Sequence, residues 1–119
     1  MQRVKVTTSV IDERGMLDVF DDLPFDCKRF FTIKAPKDQV RGNHAHHHTE
    51  MILYSVQGKI KIESMSHNHT EVEILIPGSF GLLLLPHEYR RMTFLEDACL
   101  LVLASTVYSH DDYIFEMPK

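Results

Sequence analysis

The sequence predicts an all-β domain, a barrel or sandwich with little helix, and three observations carry that prediction. Apolar residues alternate with polar ones along several short runs, the period at which successive strand side chains point to opposite faces. Turn-forming residues punctuate the runs, often at the roughly 8–12-residue spacing of all-β chains. No segment carries an i, i+3, i+4 apolar stripe of helical length.

In chain order, Val4, Val6, Thr8 and Val10 alternate with polar neighbours before the Arg14-Gly15 turn. The aromatic-rich run Lys28 to Ile33 precedes a turn at Pro36-Lys37-Asp38. Met51 to Val56 is almost continuously apolar and stops at Gln57-Gly58. Ile60 and Ile62 then alternate with Lys59, Lys61 and Glu63 up to the polar turn Ser66 to His69. Val72, Ile74 and Ile76 alternate with Glu71 and Glu73 and end at Pro77-Gly78. Leu82 to Leu85 and Cys99 to Ala104, separated by the Glu96-Asp97-Ala98 turn, complete the set. These runs place Ile33, Ile52, Leu53, Ile62, Leu83, Leu101 and Val102 in the core. A short helical turn fits Val19 to Asp22, or Ser109 to Asp112.

Composition bounds the function. The 119 residues make one domain, residues 1–119, able to bury roughly two-thirds of the surface of its unfolded chain. Thirteen basic against seventeen acidic residues leave a net charge of −4, the wrong sign for a nucleic-acid or anionic-membrane binder. The longest apolar run, Phe80 to Pro86, is far short of the ~20 residues of a membrane span. The first fifteen residues contain no apolar signal-peptide region, so a cytoplasmic chain is expected. Cys27 and Cys99, each in an apolar stretch, are expected as buried free thiols in a reducing compartment.

Eight histidines stand out, four of them within five positions: His44, His46, His47 and His48. If the segment Arg41 to Glu50 enters the next strand extended, His44, His46, His48 and Glu50 share a face. Imidazoles and a carboxylate on one face suit metal coordination and equally suit proton transfer. The pattern HxHxxxE, a strand and then Gly58 resembles the first motif of the cupin superfamily, which implies a jelly-roll barrel. Gly81 to Pro86 resembles the start of its second motif. A metal-binding cupin supplies a further histidine after that proline, and the position expected here is near Arg91. An arginine cannot ligate a metal, and His87 lies at the wrong spacing.

A closer resemblance runs along almost the whole chain. Pro24-Phe25-Asp26-Cys27-Lys28-Arg29-Phe30-Phe31, Arg41-Gly42-Asn43-His44-Ala45-His46, and Leu100 to Ser105 followed by Tyr108 and Asp112-Tyr113-Ile114 are similar, in the same order, to the signatures of the nucleotide-sugar 3,4-ketoisomerases, the WxcM-like cupins. The resemblance implies a metal-independent, cofactor-free cytoplasmic enzyme that converts a dTDP-linked 4-keto-6-deoxyglucose into its 3-keto isomer. The product feeds deoxyamino sugars of surface polysaccharides such as lipopolysaccharide O-antigen. It also implies a homodimer that exchanges N-terminal strands.

Imidazole both takes and gives protons near neutrality, with an unperturbed pKa of about 6.5, as moving a ketone from C4 to C3 requires. His46 is the expected principal base and His44 the shuttle or orienting partner. Arg41 is the expected cationic clamp, with Arg29 from the family strand beside it. Three positions depart from the family. Thr32 replaces a tyrosine beside the catalytic histidine, Tyr89 replaces a tryptophan and could stack on a base or sugar, and Phe115 replaces an arginine. Two other readings stay open: a metal-dependent cupin enzyme using His44, His46 and Glu50 with His87 nearby, and a non-catalytic sugar-nucleotide-binding cupin.

Overall fold

Alternation along the chain becomes two facing antiparallel sheets in the structure, a computed structural model that describes residues 1–118. The strands are β1 (Gln2–Lys5), β2 (Thr8–Asp12), β3 (Gly15–Val19), β4 (Arg29–Ala35), β5 (Val40–His46), β6 (Met51–Gln57), β7 (Ile60–Ser66), β8 (His69–Leu75), β9 (Phe80–Leu84), β10 (Tyr89–Phe94), β11 (Ala98–Ala104) and β12 (Tyr113–Ile114). One sheet runs β1-β9-β6-β11-β4, the other β12-β5-β10-β7-β8, and β2 and β3 form a separate hairpin. The helical content of the described residues is one 3-10 turn, His110–Asp112, at the second of the two places expected. Val19 to Asp22 is not helical, and the N-terminal alternation breaks at Val6-Thr7 into β1 and β2.

The core fills the space between the sheets with Leu53, Ile60, Ile62, Leu75, Leu82, Leu84, Phe94, Leu100 and Val102, and Ile33 packs partly buried against it. Three expected core residues take the other face of their strands, two of them buried as expected. Leu101 is half-buried, and Ile52 and Leu83 are buried outside the central cluster. Ile52, Leu101 and Leu103 line an outer groove with Phe20 and Tyr54. Their strands are apolar on both faces, so alternation could not tell inside from outside. Phe20 covers this face edge-on to Tyr54, with ring centroids 5.0 Å apart, and the Tyr54 hydroxyl bonds Asp18. Cys99 is buried, whereas Cys27 is exposed, contrary to expectation, because it precedes β4 in an open segment; both are free thiols. Among the described residues, no helix is long and apolar enough to cross a membrane.

Candidate active site

The histidine motif folds as β5 because its neighbours on both sides supply ladder partners. Arg90 on β10 lies directly opposite His44, and Tyr113 on β12 directly opposite His46. Opposed residues of an antiparallel pair project from the same face. Four side chains therefore converge on the sheet interior. The His44 and His46 rings meet edge-on at 4.9 Å, and Tyr113 lies 4.8 and 4.5 Å from them.

Gly42 permits the close approach of β5 and β10. Its φ is +91°, and a Cβ there would sit 2.9 Å from the Arg90 carbonyl oxygen. Any L-residue would be strained and would push β10 away.

The ring tautomers follow from the acceptors. The Nδ1 of His44 lies 3.0 Å from the Gly42 carbonyl oxygen, which can only accept, so Nδ1 carries the hydrogen. The Nδ1 of His46 donates likewise to Asp112 Oδ2 at 2.9 Å. In both rings Nε2 is left with its lone pair, and the Nε2 of His46 is buried without a partner. Asp112 also accepts from Thr49 Oγ1 and from the His48 amide at 2.8 Å. Burial works against its negative charge, but those donors outweigh it and hold the carboxyl below the usual range.

Arg90 is only 1% exposed. Its Nε and Nη2 donate to the Glu88 carbonyl oxygen at 3.2 and 3.0 Å, and Nη1 faces Met51 Sδ at 3.4 Å. Among the described residues it forms no ion pair. Burial lowers its pKa to about 10, still a full cation at neutrality. Burial, and then the charge of Arg90, push His46 down from 6.5 to about 4; burial likewise lowers His44. Both histidines are thus neutral bases at pH 7.

These residues open onto a cavity of 280 Å³ lined by His44, Arg41, Arg90 and Tyr113, and closed by Phe31, Ile33, Met51, Leu53, Met92 and Val102. That is near the low end of the ~300–1,000 Å³ of small-molecule sites, with room for one hexose ring. His46 lies behind His44, fully buried and outside the cavity lining. The sequence made His46 the principal base; in the structure His44 is the imidazole that faces the cavity.

Other expected residues are dispersed. Arg41 lines the cavity. Arg29 is not among the lining residues; its guanidinium is 5.4 Å from the ring of Phe31, which is, and 5.8 Å from Tyr108, with Nε buried and unpartnered. Thr32 is exposed on the outer side of β4, because Phe31 and Ile33 take the inward positions. Tyr89 is buried in β10 and does not line the cavity, so no stacking surface is offered there. Strand β5 ends at His46, so His48 and Glu50 fall beyond it, where the shared face no longer holds. His87 sits in a turn at φ 70°, its amide bonded to the His46 carbonyl. Among the described residues, no group of three His, Cys, Asp or Glu side chains could hold a metal ion.

Sequence reasoning missed Arg90, Asp112 and Tyr113 as members of the site. Asp112 and Tyr113 stood in a quoted motif, and Arg90 stands one residue before the position singled out. A β-bulge between Arg90 and Arg91 re-aims β10 there, and Arg91 instead bonds the Asn43 side chain at 3.2 Å.

A family model described as FdtA: WxcM-like, C-terminal matches residues 2–119. The chain belongs to that family. A curated relative, the TDP-4-oxo-6-deoxy-alpha-D-glucose-3,4-oxoisomerase of Aneurinibacillus thermoaerophilus, is 32% identical over 88% of this chain and 79% of its own length. The crystal structure of QdtA, a sugar 3,4-ketoisomerase from Thermoanaerobacterium thermosaccharolyticum in complex with TDP, is 32% identical with a TM-score of 0.89, over 97% of this chain and 87% of that one. WlaRA, the TDP-fucose-3,4-ketoisomerase of Campylobacter jejuni, is 28% identical with a TM-score of 0.85, over 97% and 88% of the two chains.

The shifted histidines make the pH dependence specific. The acid limb of kcat/KM, which reports the free enzyme's essential base, is expected below pH 6.5. Stability carries the same sign. The unfolded chain protonates His46 near 6.5 and the folded chain only near 4. This contribution is therefore complete above pH 6.5 and is lost as pH falls from 6.5 to about 4. Urea unfolding across that range, with His46→Gln as control, should show the decline and its reduction in the variant. Equal slopes in both proteins would contradict it.

Proposed function

We propose that this protein is a 3,4-ketoisomerase of a dTDP-linked 4-keto-6-deoxyhexose and that it works without a metal. The observation that carries the reading is a neutral imidazole with a free Nε2, facing a hexose-sized cavity, opposite a buried cation that forms no direct ion pair among the described residues. The kinship with TDP-sugar ketoisomerases supplies the substrate class.

His44 Nε2 takes the proton from C3 as the C3–H bond breaks. That electron pair forms a C3=C4 double bond, and the C4 carbonyl oxygen becomes an enolate beside the Arg90 guanidinium. The enolate protonates, the C3 hydroxyl loses its proton to become the new carbonyl, and C4 receives a proton from the imidazole pair. No external oxidant or reductant is consumed. His46, held by Asp112, is the second member of the pair, and its closeness to His44 suits it to relay the proton between the two carbons. Arg41 at the cavity and Arg29, over the ring of the lining residue Phe31, suit the diphosphate, which guanidinium groups bind bidentately.

Turnover of the 4-keto sugar nucleotide, followed by NMR, should survive exhaustive chelation. Activity lost on chelation and restored by iron, manganese or zinc would favour the metal-dependent alternative.

The assembly belongs to the same proposal: a homodimer that exchanges N-terminal strands. Among the described residues the β2–β3 hairpin pairs only with itself, and it exposes Val10, Ile11, Met16 and Leu17, while Phe30 is 71% exposed on the outer side of β4. Apolar surface in such quantity suits a protein interface. Sedimentation at micromolar concentration should give twice the chain mass, and a single-chain mass would exclude the dimer. The two free thiols suit a reducing, cytoplasmic location.

A further inference from the structure

Behind His46 a chain of hydroxyl groups ends on Asp112, and no step of the reaction above uses it. Thr49 is fully buried, just before the chain enters β6. Its Oγ1 bonds Asp112 Oδ2, the same oxygen that accepts from His46 Nδ1. Thr49 Oγ1 also lies 2.6 Å from Thr106 Oγ1, two residues past the end of β11. The directions of these bonds are determined. Asp112 is ionised, so its oxygens only accept, and the single hydroxyl hydrogen of Thr49 goes to the carboxylate. The hydrogen between the two threonines therefore belongs to Thr106. Their neighbours clip the two segments together. The Glu50 amide donates to Ser105 Oγ at 2.9 Å, and the Ser105 amide to the Glu50 carbonyl at 3.0 Å.

We propose that Thr49 is a positioning residue of the reaction, oriented in turn by Thr106: its hydroxyl anchors the carboxylate that holds His46. The inference rests on the ketoisomerase reading above and names a residue to which that reading gives no part. Geometry supplies the first argument. Asp112 Oδ2 sits between His46 Nδ1 and Thr49 Oγ1, while Oδ1 takes the His48 amide at 2.8 Å. Each donor fixes the carboxylate in one direction. Without the Thr49 hydroxyl, Oδ2 is released on one side, and the imidazole that relays the proton loses a rigid mount. Electrostatics supplies the second. Thr49 and His46 share one oxygen, so Thr49 disperses negative charge that would otherwise draw a proton onto His46. His46 also faces Arg90 of β10, His44 of its own strand and Tyr113 of β12. Arg90 and His44 oppose a positive charge on it, and Asp112 favours one. By weakening that pull, Thr49 keeps the imidazole a neutral base.

The test compares wild type with Thr49→Val, which keeps the shape and removes the hydroxyl, in turnover of TDP-4-keto-6-deoxyglucose followed by NMR. The expected kcat per folded molecule is about 10- to 100-fold lower, the range seen when a group orienting a metal-bound histidine is removed. KM and TDP affinity should stay near wild type. The acid limb of the remaining kcat/KM should move to higher pH, since a carboxylate with one donor fewer raises His46 from about 4 toward 6.5. Thr49→Ser should restore most of the turnover and the original limb, and Thr106→Val should lower kcat by less than Thr49→Val. Thr49→Ala against Thr49→Ser, which differ only in the hydroxyl, makes the same comparison if valine beside the carboxylate prevents folding. A wild-type kcat in Thr49→Val or Thr49→Ala would overturn the proposal. So would equal losses in Thr49→Ser and Thr49→Ala, or a lower kcat with the acid limb unmoved, which is what a purely structural threonine would give. A wild type that leaves the ketone at C4 would instead remove the ketoisomerase reading. NMR titration of His46 in wild type and Thr49→Val would then still decide the anchoring, and an unmoved His46 would contradict it.

Discussion

Replacing Arg90 by methionine is expected to cut turnover by roughly 10²–10³-fold, the cost of removing one preorganised group that stabilises a developing oxyanion. The same substitution is expected to leave the melting temperature unchanged or raise it. The opposite signs come from one cause. A charge that is 1% exposed and forms no ion pair among the described residues carries a desolvation penalty, and an apolar side chain of similar length removes it. What methionine loses structurally is two hydrogen bonds to the Glu88 carbonyl oxygen and a weak one to Met51 Sδ. Because Arg90 also depresses both histidines, the acid limb of the residual activity should move to higher pH in the variant. A residue kept for folding would show the reverse: a destabilised protein, with full turnover in whatever fraction remains folded. Arg90→Lys keeps the charge but loses the planar fork, and should fall between the two.

His44→Asn is expected to retain TDP binding and the fold while reducing turnover by roughly 10²–10⁴-fold, the usual worth of a general base. Asparagine still reaches the Gly42 carbonyl with an N–H but cannot take a proton near neutrality, so the substitution tests titration apart from packing. The contrast with His46→Asn is informative. His46 is fully buried behind His44 and tied to Asp112, and the smaller asparagine leaves part of that buried space unfilled. Both turnover and stability should suffer there, whereas His44→Asn should affect turnover alone.

Much of this architecture was legible as alternation. Strands β7 and β8 and the polar turn between them follow from Ile60, Ile62, Val72 and Ile74 against their charged neighbours, and β4, β6, β9 and β11 from apolar runs bounded by turns. Strand β10 was not, because Arg90 occupies an inward position that a strand pattern reserves for apolar residues. Strand β12 has two residues and no pattern of its own. It pairs with β5 where Asp112 ties the preceding turn to the His47-His48 bend, a long-range contact with no local signature. The site divides in the same way. His44 and His46 were visible because they crowd one motif, as was Arg41 beside them. Which imidazole faces the cavity depends on the position of Asp112, sixty-six residues from His46, and on the Gly42 cradle against β10. Thr32 and Tyr89 were carried from family positions, and the pleat of β4 and the burial of β10 turn them away from the cavity.

Proton transfer by His44 between C3 and C4 is tested most directly by locating the ketone after reaction. Wild type and His44→Asn, both freed of metal, would be incubated with TDP-4-keto-6-deoxyglucose in heavy water and the carbonyl assigned by carbon NMR. The expected result is a ketone moved to C3 by the wild type and left at C4 by His44→Asn on the same timescale. A His44→Asn variant that moves the ketone at the wild-type rate would contradict the account. So would a wild type that leaves the ketone at C4 while deuterium enters C3 or C5.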